Sequence, residues 1–230
     1  LTFPGTGNVK NFQQTLDPSC GLVTSDCPYD DGTELHTETF CALHRNIVVL
    51  KRRIDRLAGR TFRLFYHFSP KYAELEWNPN GEIRYAIEGI RMFEGFIRFE
   101  ADVPFTFRRE ENCFIWETKA DAFTLFLRFD DSAPAGSAEK LLEESRCEWN
   151  RYWEEGFVEI PSENIQRMYD LAQYHLRISS TCWGMPTGIF DSHWNGLYFA
   201  FDEYFCFMGL ATSGHMETAA KIPAFRHSLI

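Results

Sequence analysis

The residues best suited to chemistry in this chain are two adjacent carboxylates, Asp202 and Glu203, within an aromatic-rich run at residues 192–205. Sugars present flat CH faces that stack on aromatic rings, and their hydroxyls need charged or amide partners in a partly desolvated place. The run therefore predicts a carbohydrate-binding wall. Its expected substrate-binding residues are Trp194, Asn195, Phe201, Asp202 and Glu203.

Adjacent helical residues point about 100° apart, so Asp202 and Glu203 cannot both flank one glycosidic bond. An inverting glycosidase holds its two carboxyl groups roughly 6.5–9.5 Å apart with the sugar between them. We expect Asp202 to accept hydrogen bonds from sugar hydroxyls, and the catalytic residues stay unidentified. The plainer alternatives are a first-turn helix acid for either carboxylate, a packing role for Trp194 and a turn role for Asn195.

Composition and charge restrict the partners of the chain. The net charge of -10 argues against a nucleic-acid surface, which needs clustered Lys and Arg. The basic cluster Lys51, Arg52 and Arg53 is interpreted as a solvated strand end. No apolar run reaches the roughly 18 residues of a membrane span, so no membrane partner is expected.

The seven cysteines include no CxxC pair and no Cys/His cluster of zinc spacing, so neither a metal nor a cofactor is predicted. An odd, scattered set favours reduced thiols and a cytoplasmic location, although Cys20 and Cys27 could be bridged in an exported protein. His175 and His215 lack partners at ligand spacing and are interpreted as core or cap residues.

The hydrophobic pattern from residue 22 to residue 129 is that of short strands separated by turn sequences at 30–32, 78–81 and 109–112. This pattern predicts an antiparallel β-sandwich domain at residues 1–132. The strand candidates are 35–40, 46–54, 61–68, 83–87, 92–101, 105–108, 113–118 and 122–128.

Helical patterns follow a change to linker composition at residues 130–137. A helix at 139–155 is expected within a linker region at 133–160, with one face formed by Leu142, Cys147 or Arg146, Trp149 and Trp153. Residues 161–230 form the predicted helical domain. Its second helix is capped by Ser162, its third covers 199–212, and its fourth starts near His215 and continues to the last residue.

Three segments carry a resemblance to a known family. Residues 14–24 and 37–50 resemble the N-terminal sandwich of the maltose, kojibiose and trehalose phosphorylases, glycoside hydrolase family 65. Residues 149–180, with Trp-x3-Trp and Val-x-Ile-Pro, resemble the linker and first barrel helix of that family. Residues 184–205 resemble the loop that carries its Asn-Gly…Phe-Trp-Asp-x-Glu motif.

The sequence departs from this motif, because Asp202 matches its Asp whereas Tyr204 occupies the position of its Glu. The wider six-hairpin glycosidase group is therefore the better match. The resemblance implies a β-sandwich, a linker helix and the first hairpins of an (α/α)6 toroid. It also implies cleavage of O-glycosidic bonds in oligosaccharides, by hydrolysis or with inorganic phosphate as the nucleophile.

The helical domain is short for such a toroid. About 70 residues follow residue 160, which is room for about four helices, whereas six hairpins need twelve. We therefore expect the chain to be the N-terminal part of an enzyme, inactive alone, whose proton donor lies outside it. The alternatives are a carbohydrate-binding module or a structural β-sandwich module without catalysis, and a homodimer is compatible with each.

Overall fold

The computed structural model describes residues 8–43, 45–55, 59, 61–67, 73–87, 93–111, 113–129, 136–181, 184–186 and 198–230. These residues form strands followed by helices. The strands are β1 Gln13–Asp17, β2 Leu22–Pro28, β3 Glu34–Ala42, β4 Ile47–Asp55, β5 Phe62–His67, β6 Ala73–Asn78, β7 Glu82–Ile87, β8 Phe93–Ala101, β9 Thr106–Glu110, β10 Cys113–Thr118 and β11 Ala122–Arg128. The helices are α1 Ala138–Glu155, α2 Glu163–Ser179, α3 Ala200–Thr212 and α4 Met216–His227.

The strands pair antiparallel in two sheets. One sheet has eight strands in the order β1-β2-β3-β4-β11-β8-β7-β6, and the other has three in the order β5-β10-β9. This confirms the expected antiparallel β region followed by helices. Strands β1, β2 and β6 were not among the predicted strand segments. The turn predicted at residues 78–81 joins β6 to β7, where Gly81 takes a φ of 88° that suits glycine.

One hydrophobic cluster contains side chains from both sheets, which is a sandwich-like arrangement. Phe62, Phe114 and Trp116 come from the three-stranded sheet, and Ile83 and Phe99 come from the eight-stranded sheet. Each of these five side chains is at most 1% exposed. The aromatic surplus of this region is therefore used in the core, where large rings bury the most apolar area.

A second cluster lies on the opposite face of the eight-stranded sheet, where α1 packs against β3, β4 and β11. Both faces of β4 are thus covered, which explains its consecutive apolar residues at 47–50. The predicted face of α1 is wrong in part, because Cys147 is exposed whereas Leu141 and Ser145 are buried. The Ser145 hydroxyl accepts a hydrogen bond from the Leu43 backbone N–H.

The basic cluster on β4 is also only partly solvated. Arg52 is buried, and its Nη1 donates to the carbonyl oxygens of Glu38 and Lys51 while its Nη2 donates to Thr39 Oγ1. Burial lowers the pKa of Arg52 to about 10. The interpretation of a solvated strand end is therefore wrong for Arg52, although Arg53 is exposed.

Two compact units divide the chain, Leu1–Glu148 and Trp149–Ile230, so their boundary falls within α1. The predicted boundaries at residues 132 and 160 stay predictions. In the second unit, Trp149 stacks on Tyr174 with ring centroids 5.2 Å apart. The Tyr152 hydroxyl donates to the Gln173 carbonyl at 3.0 Å. These contacts hold the last turns of α1 against α2.

Two helix predictions are corrected in this unit. Ser162 occupies the N-cap position of α2 as expected, but its side chain makes no capping hydrogen bond. Helix α4 ends at His227, and residues 228 and 229 form a turn, so the helix does not continue to the last residue.

Candidate functional site

The predicted sugar-binding run ends in α3, which begins directly after Phe199. Phe199 is extended at the N-cap, with φ -104° and ψ 126°, and it provides no side-chain cap. Asp202 and Glu203 lie in the first turn, where their negative charges interact favourably with the positive end of the helix dipole. Gly214, with a φ of 94°, follows the C-cap residue Ser213.

The two carboxylates lie in different environments, as their spacing predicts. Asp202 is exposed, whereas Glu203 is 1% exposed. Glu203 Oε2 accepts a hydrogen bond from Arg226 Nε at 2.6 Å, and Arg226 Nη2 lies 2.5 Å from the same oxygen. The backbone N–H of Met185 donates to Glu203 Oε1 at 3.2 Å. Glu203 therefore connects α3 to α4 through Arg226, and to the chain segment that precedes α3 through Met185.

Gly184 lies against the same carboxylate. Its φ of 99° falls in the left-handed region, and an added Cβ would collide with Glu203 Oε1. The Arg226 Nη2 also donates to the Tyr198 carbonyl at 3.1 Å. Both acceptor oxygens of Glu203 are thus engaged, and direct hydrogen bonding to a sugar would compete with these bonds.

The solvent side of α3 is aromatic. Phe201 is 74% exposed, Tyr204 is 56% exposed and Phe205 is 57% exposed. The Phe201 and Phe205 ring centroids are 5.0 Å apart at an interplanar angle of 80°, and those of Tyr204 and Phe205 are 5.4 Å apart at 74°. We refer to these three rings as the α3 aromatic face. An exposed aromatic group of this kind is typical of a binding surface.

The structure therefore divides the predicted site residues. Phe201 contributes to the α3 aromatic face, Asp202 lies exposed one residue further along the helix, and Glu203 points into the protein. Trp194 and Asn195 lie outside the described residues. Sequence reasoning missed Arg226 because it is 23 residues from its partner and no pattern links the two. Tyr204 and Phe205 could have been found from their helical spacing relative to Phe201.

His175 and His215, the two histidines expected to be core or cap residues, differ in burial. His175 is exposed, so a core or cap role does not describe it. His215 occupies the N-cap position of α4, is completely buried and stacks on Tyr152 with ring centroids 3.7 Å apart. Burial lowers the pKa of His215, and this effect exceeds the opposing effect of Glu155, whose Oε2 lies 3.8 Å from Nδ1.

Cys20 and Cys27 are both free, so the bridge considered for an exported protein is not formed. No helix among the residues that the structure describes has the length and apolar character needed to cross a membrane. Neither models of known protein families nor a search of curated proteins gives a match to this chain.

Proposed function

We propose that the chain is the N-terminal part of a carbohydrate-active enzyme that cleaves O-glycosidic bonds of oligosaccharides, by hydrolysis or phosphorolysis. The observation that carries this proposal is the α3 aromatic face beside the exposed carboxylate of Asp202. Aromatic rings stack on the CH faces of sugars, and a carboxylate accepts hydrogen bonds from their hydroxyls. The two features lie within five consecutive residues of α3, 201–205.

The proposed roles differ between residues. Phe201 and Phe205 stack on the sugar, and Asp202 orients it through its hydroxyls. Glu203 acts indirectly, because its bonds to Arg226 and Met185 fix the rotation of α3 and so the direction in which the aromatic rings point. The proton donor for the leaving oxygen is expected from outside this chain, as the resemblance to the six-hairpin glycosidases implies.

The same resemblance supports a finer proposal for the fold. The two sheets would form the N-terminal β-sandwich of such an enzyme, and α2, α3 and α4 would belong to the first hairpins of an (α/α)6 toroid. The short connection between α3 and α4 at residues 213–215 supports this proposal, because hairpins of antiparallel helices use short loops.

Titration of the protein with maltose, kojibiose and trehalose, followed by calorimetry or by NMR shifts, tests whether the α3 aromatic face and Asp202 bind sugar. We expect Asp202→Asn to weaken binding by about tenfold, since a hydrogen bond to a charged group contributes about 1.5 kcal/mol. Glu217→Gln is a matched control, because Glu217 is also an exposed acid in the first turn of a helix. Equal affinity of the wild type and the Asp202 variant would contradict the assignment.

Cleavage measured with and without inorganic phosphate distinguishes the two proposed reactions. Phosphorolysis would release a sugar phosphate and depend on the phosphate concentration, whereas hydrolysis would proceed without it. Because the proton donor is expected elsewhere in the enzyme, this assay requires the complete protein. Sugar binding without cleavage by that protein would favour the alternative of a binding module.

A further inference from the structure

A histidine and three carboxylates meet on one face of the eight-stranded sheet. Strands β2, β3 and β4 are neighbours, and their register places His36 opposite Asp26 on one side and Arg53 on the other. Glu34 is two residues before His36, and Asp55 is its cross-strand partner. Side chains two residues apart in a strand share a face, so the imidazole of His36 and the three carboxylates lie close together.

The distances within this group suit a shared metal ion. His36 Nε2 lies 3.7 Å from Glu34 Oε1 and 3.8 Å from Asp55 Oδ2. One ligand atom from each of these three residues lies within 4.8 Å of the other two. These separations are too long for hydrogen bonds. Atoms bound at about 2.0–2.2 Å to one metal lie roughly 3–4 Å apart, so the gap between them has the size of an ion.

Asp26 holds the imidazole in the orientation that metal binding requires. Its Oδ1 lies 2.5 Å from His36 Nδ1, and Asp26 is not one of the three converging ligands. With the Nδ1 proton donated to Asp26, the neutral ring carries its lone pair on Nε2, which faces Glu34 and Asp55. A histidine bound to a metal generally donates its other ring N–H to a carboxylate in this way.

The charges around the cluster also favour a cation. Glu34 and Asp55 are directly opposite each other on neighbouring strands, and like charges in such a pair are destabilising. Arg53 offsets part of this repulsion, since its Nε lies 3.5 Å from Asp55 Oδ1. The other oxygen, Oδ2, is the one that faces His36. Asp55 can therefore keep this ion pair while it binds a metal.

We propose that Glu34, His36 and Asp55 bind a divalent transition-metal ion of the Zn²⁺ type, with Asp26 as the residue that positions His36. One imidazole and two carboxylates form a ligand set that Zn²⁺ accepts, and water completes the coordination. The side chains of His36, Glu34 and Asp55 are 29%, 45% and 52% exposed, so solvent reaches the site. Its role is to tie β3 to β4, and it does not depend on the proposed sugar site.

Calorimetric titration of metal-free protein with Zn²⁺ tests this proposal, with Co²⁺ as a spectroscopic substitute. We expect one saturable site per chain and a cobalt spectrum without a thiolate charge-transfer band, which excludes the cysteines as ligands. His36→Ala should abolish the site. Asp26→Asn retains all three ligands and should weaken binding by about 10-fold to 100-fold.

His175→Ala is the matched control, because His175 is an exposed histidine elsewhere in the chain and its loss should leave Zn²⁺ affinity unchanged. Circular dichroism confirms that each variant is folded. The proposal is wrong if the folded wild type shows no saturable Zn²⁺ binding, if His36→Ala binds as tightly as the wild type, or if bound Co²⁺ shows a thiolate band.

Discussion

Glu203 and Arg226 form an ion pair that joins α3 to α4, with 2.5 Å between Arg226 Nη2 and Glu203 Oε2. The glutamate side chain is 2% exposed and the arginine side chain is 37% exposed. The carboxylate therefore depends on Arg226 and on the Met185 N–H for the interactions that water would otherwise provide. Because the two side chains differ in burial, we expect substitution of Arg226 and substitution of Glu203 to lower the free energy of unfolding by different amounts.

Arg226→Met should destabilise the protein by about 2–4 kcal/mol, because it leaves the buried carboxylate of Glu203 without its cation. Glu203→Gln should cost less, about 1–2 kcal/mol, since the amide keeps an acceptor for Met185 and the partly exposed Arg226 can turn to solvent. Urea unfolding gives both values. A change below about 0.5 kcal/mol for Arg226→Met would show that the pair does not stabilise the fold.

Gly184→Ala should destabilise the protein more than Gly136→Ala. Both glycines have positive φ, 99° and 74°, so the backbone strain of about 1–2 kcal/mol is common to the two variants. An added Cβ at Gly136 meets nothing within 4 Å, whereas one at Gly184 meets Glu203 Oε1. The difference in unfolding free energy therefore reports the collision with Glu203 together with the close approach of Phe225 Cδ1 at 3.2 Å, and equal values would argue against these contacts.

The burial of His215 predicts acid sensitivity. Its pKa is lowered in the folded state, so the unfolded chain binds more protons and stability falls as the pH drops below the ordinary value of 6.5. The largest slope from one such group is about 1.4 kcal/mol per pH unit. Titratable groups around it are Glu155, Arg177 and Tyr152.

Unfolding free energies of the wild type and His215→Gln at pH 5.5 and pH 7.5 test this prediction. The substitution should reduce the loss of stability between the two pH values, because glutamine has no proton to gain. His175→Gln is the matched control for the substitution itself, because it replaces an exposed histidine of the same unit. An unchanged dependence in His215→Gln would assign the acid sensitivity to other groups.

Phe201→Ser should leave stability within about 0.5 kcal/mol of the wild type, since 74% of this residue is already exposed. The same substitution should weaken sugar binding about twofold to tenfold, because an aromatic stacking contact contributes about 0.5–1.5 kcal/mol. Phe157→Ser is a control of similar exposure, at 77%, outside α3. Loss of stability without loss of binding would identify Phe201 as a packing residue.

The strand and helix pattern was largely predictable because burial imposes period 2 on strands and period 3.6 on helices. The segments at 113–118 and 122–128 match β10 and β11 to the residue. Strand β6 was overlooked although Ala73–Asn78 alternates apolar and polar residues, which is the period that predicts a strand. Strand β1 was missed because every residue in it is exposed.

For the candidate site residues, the sequence predicted less than it did for the strands and helices. The sequence alone determined that Asp202 and Glu203 point in different directions, because adjacent residues on a helix are separated by a fixed angle. Only the tertiary structure decided that Glu203 is the buried one, since its partner Arg226 lies on another helix. The cluster of Glu34, His36 and Asp55 was likewise hidden, because strand register, and not sequence spacing, brings distant residues together.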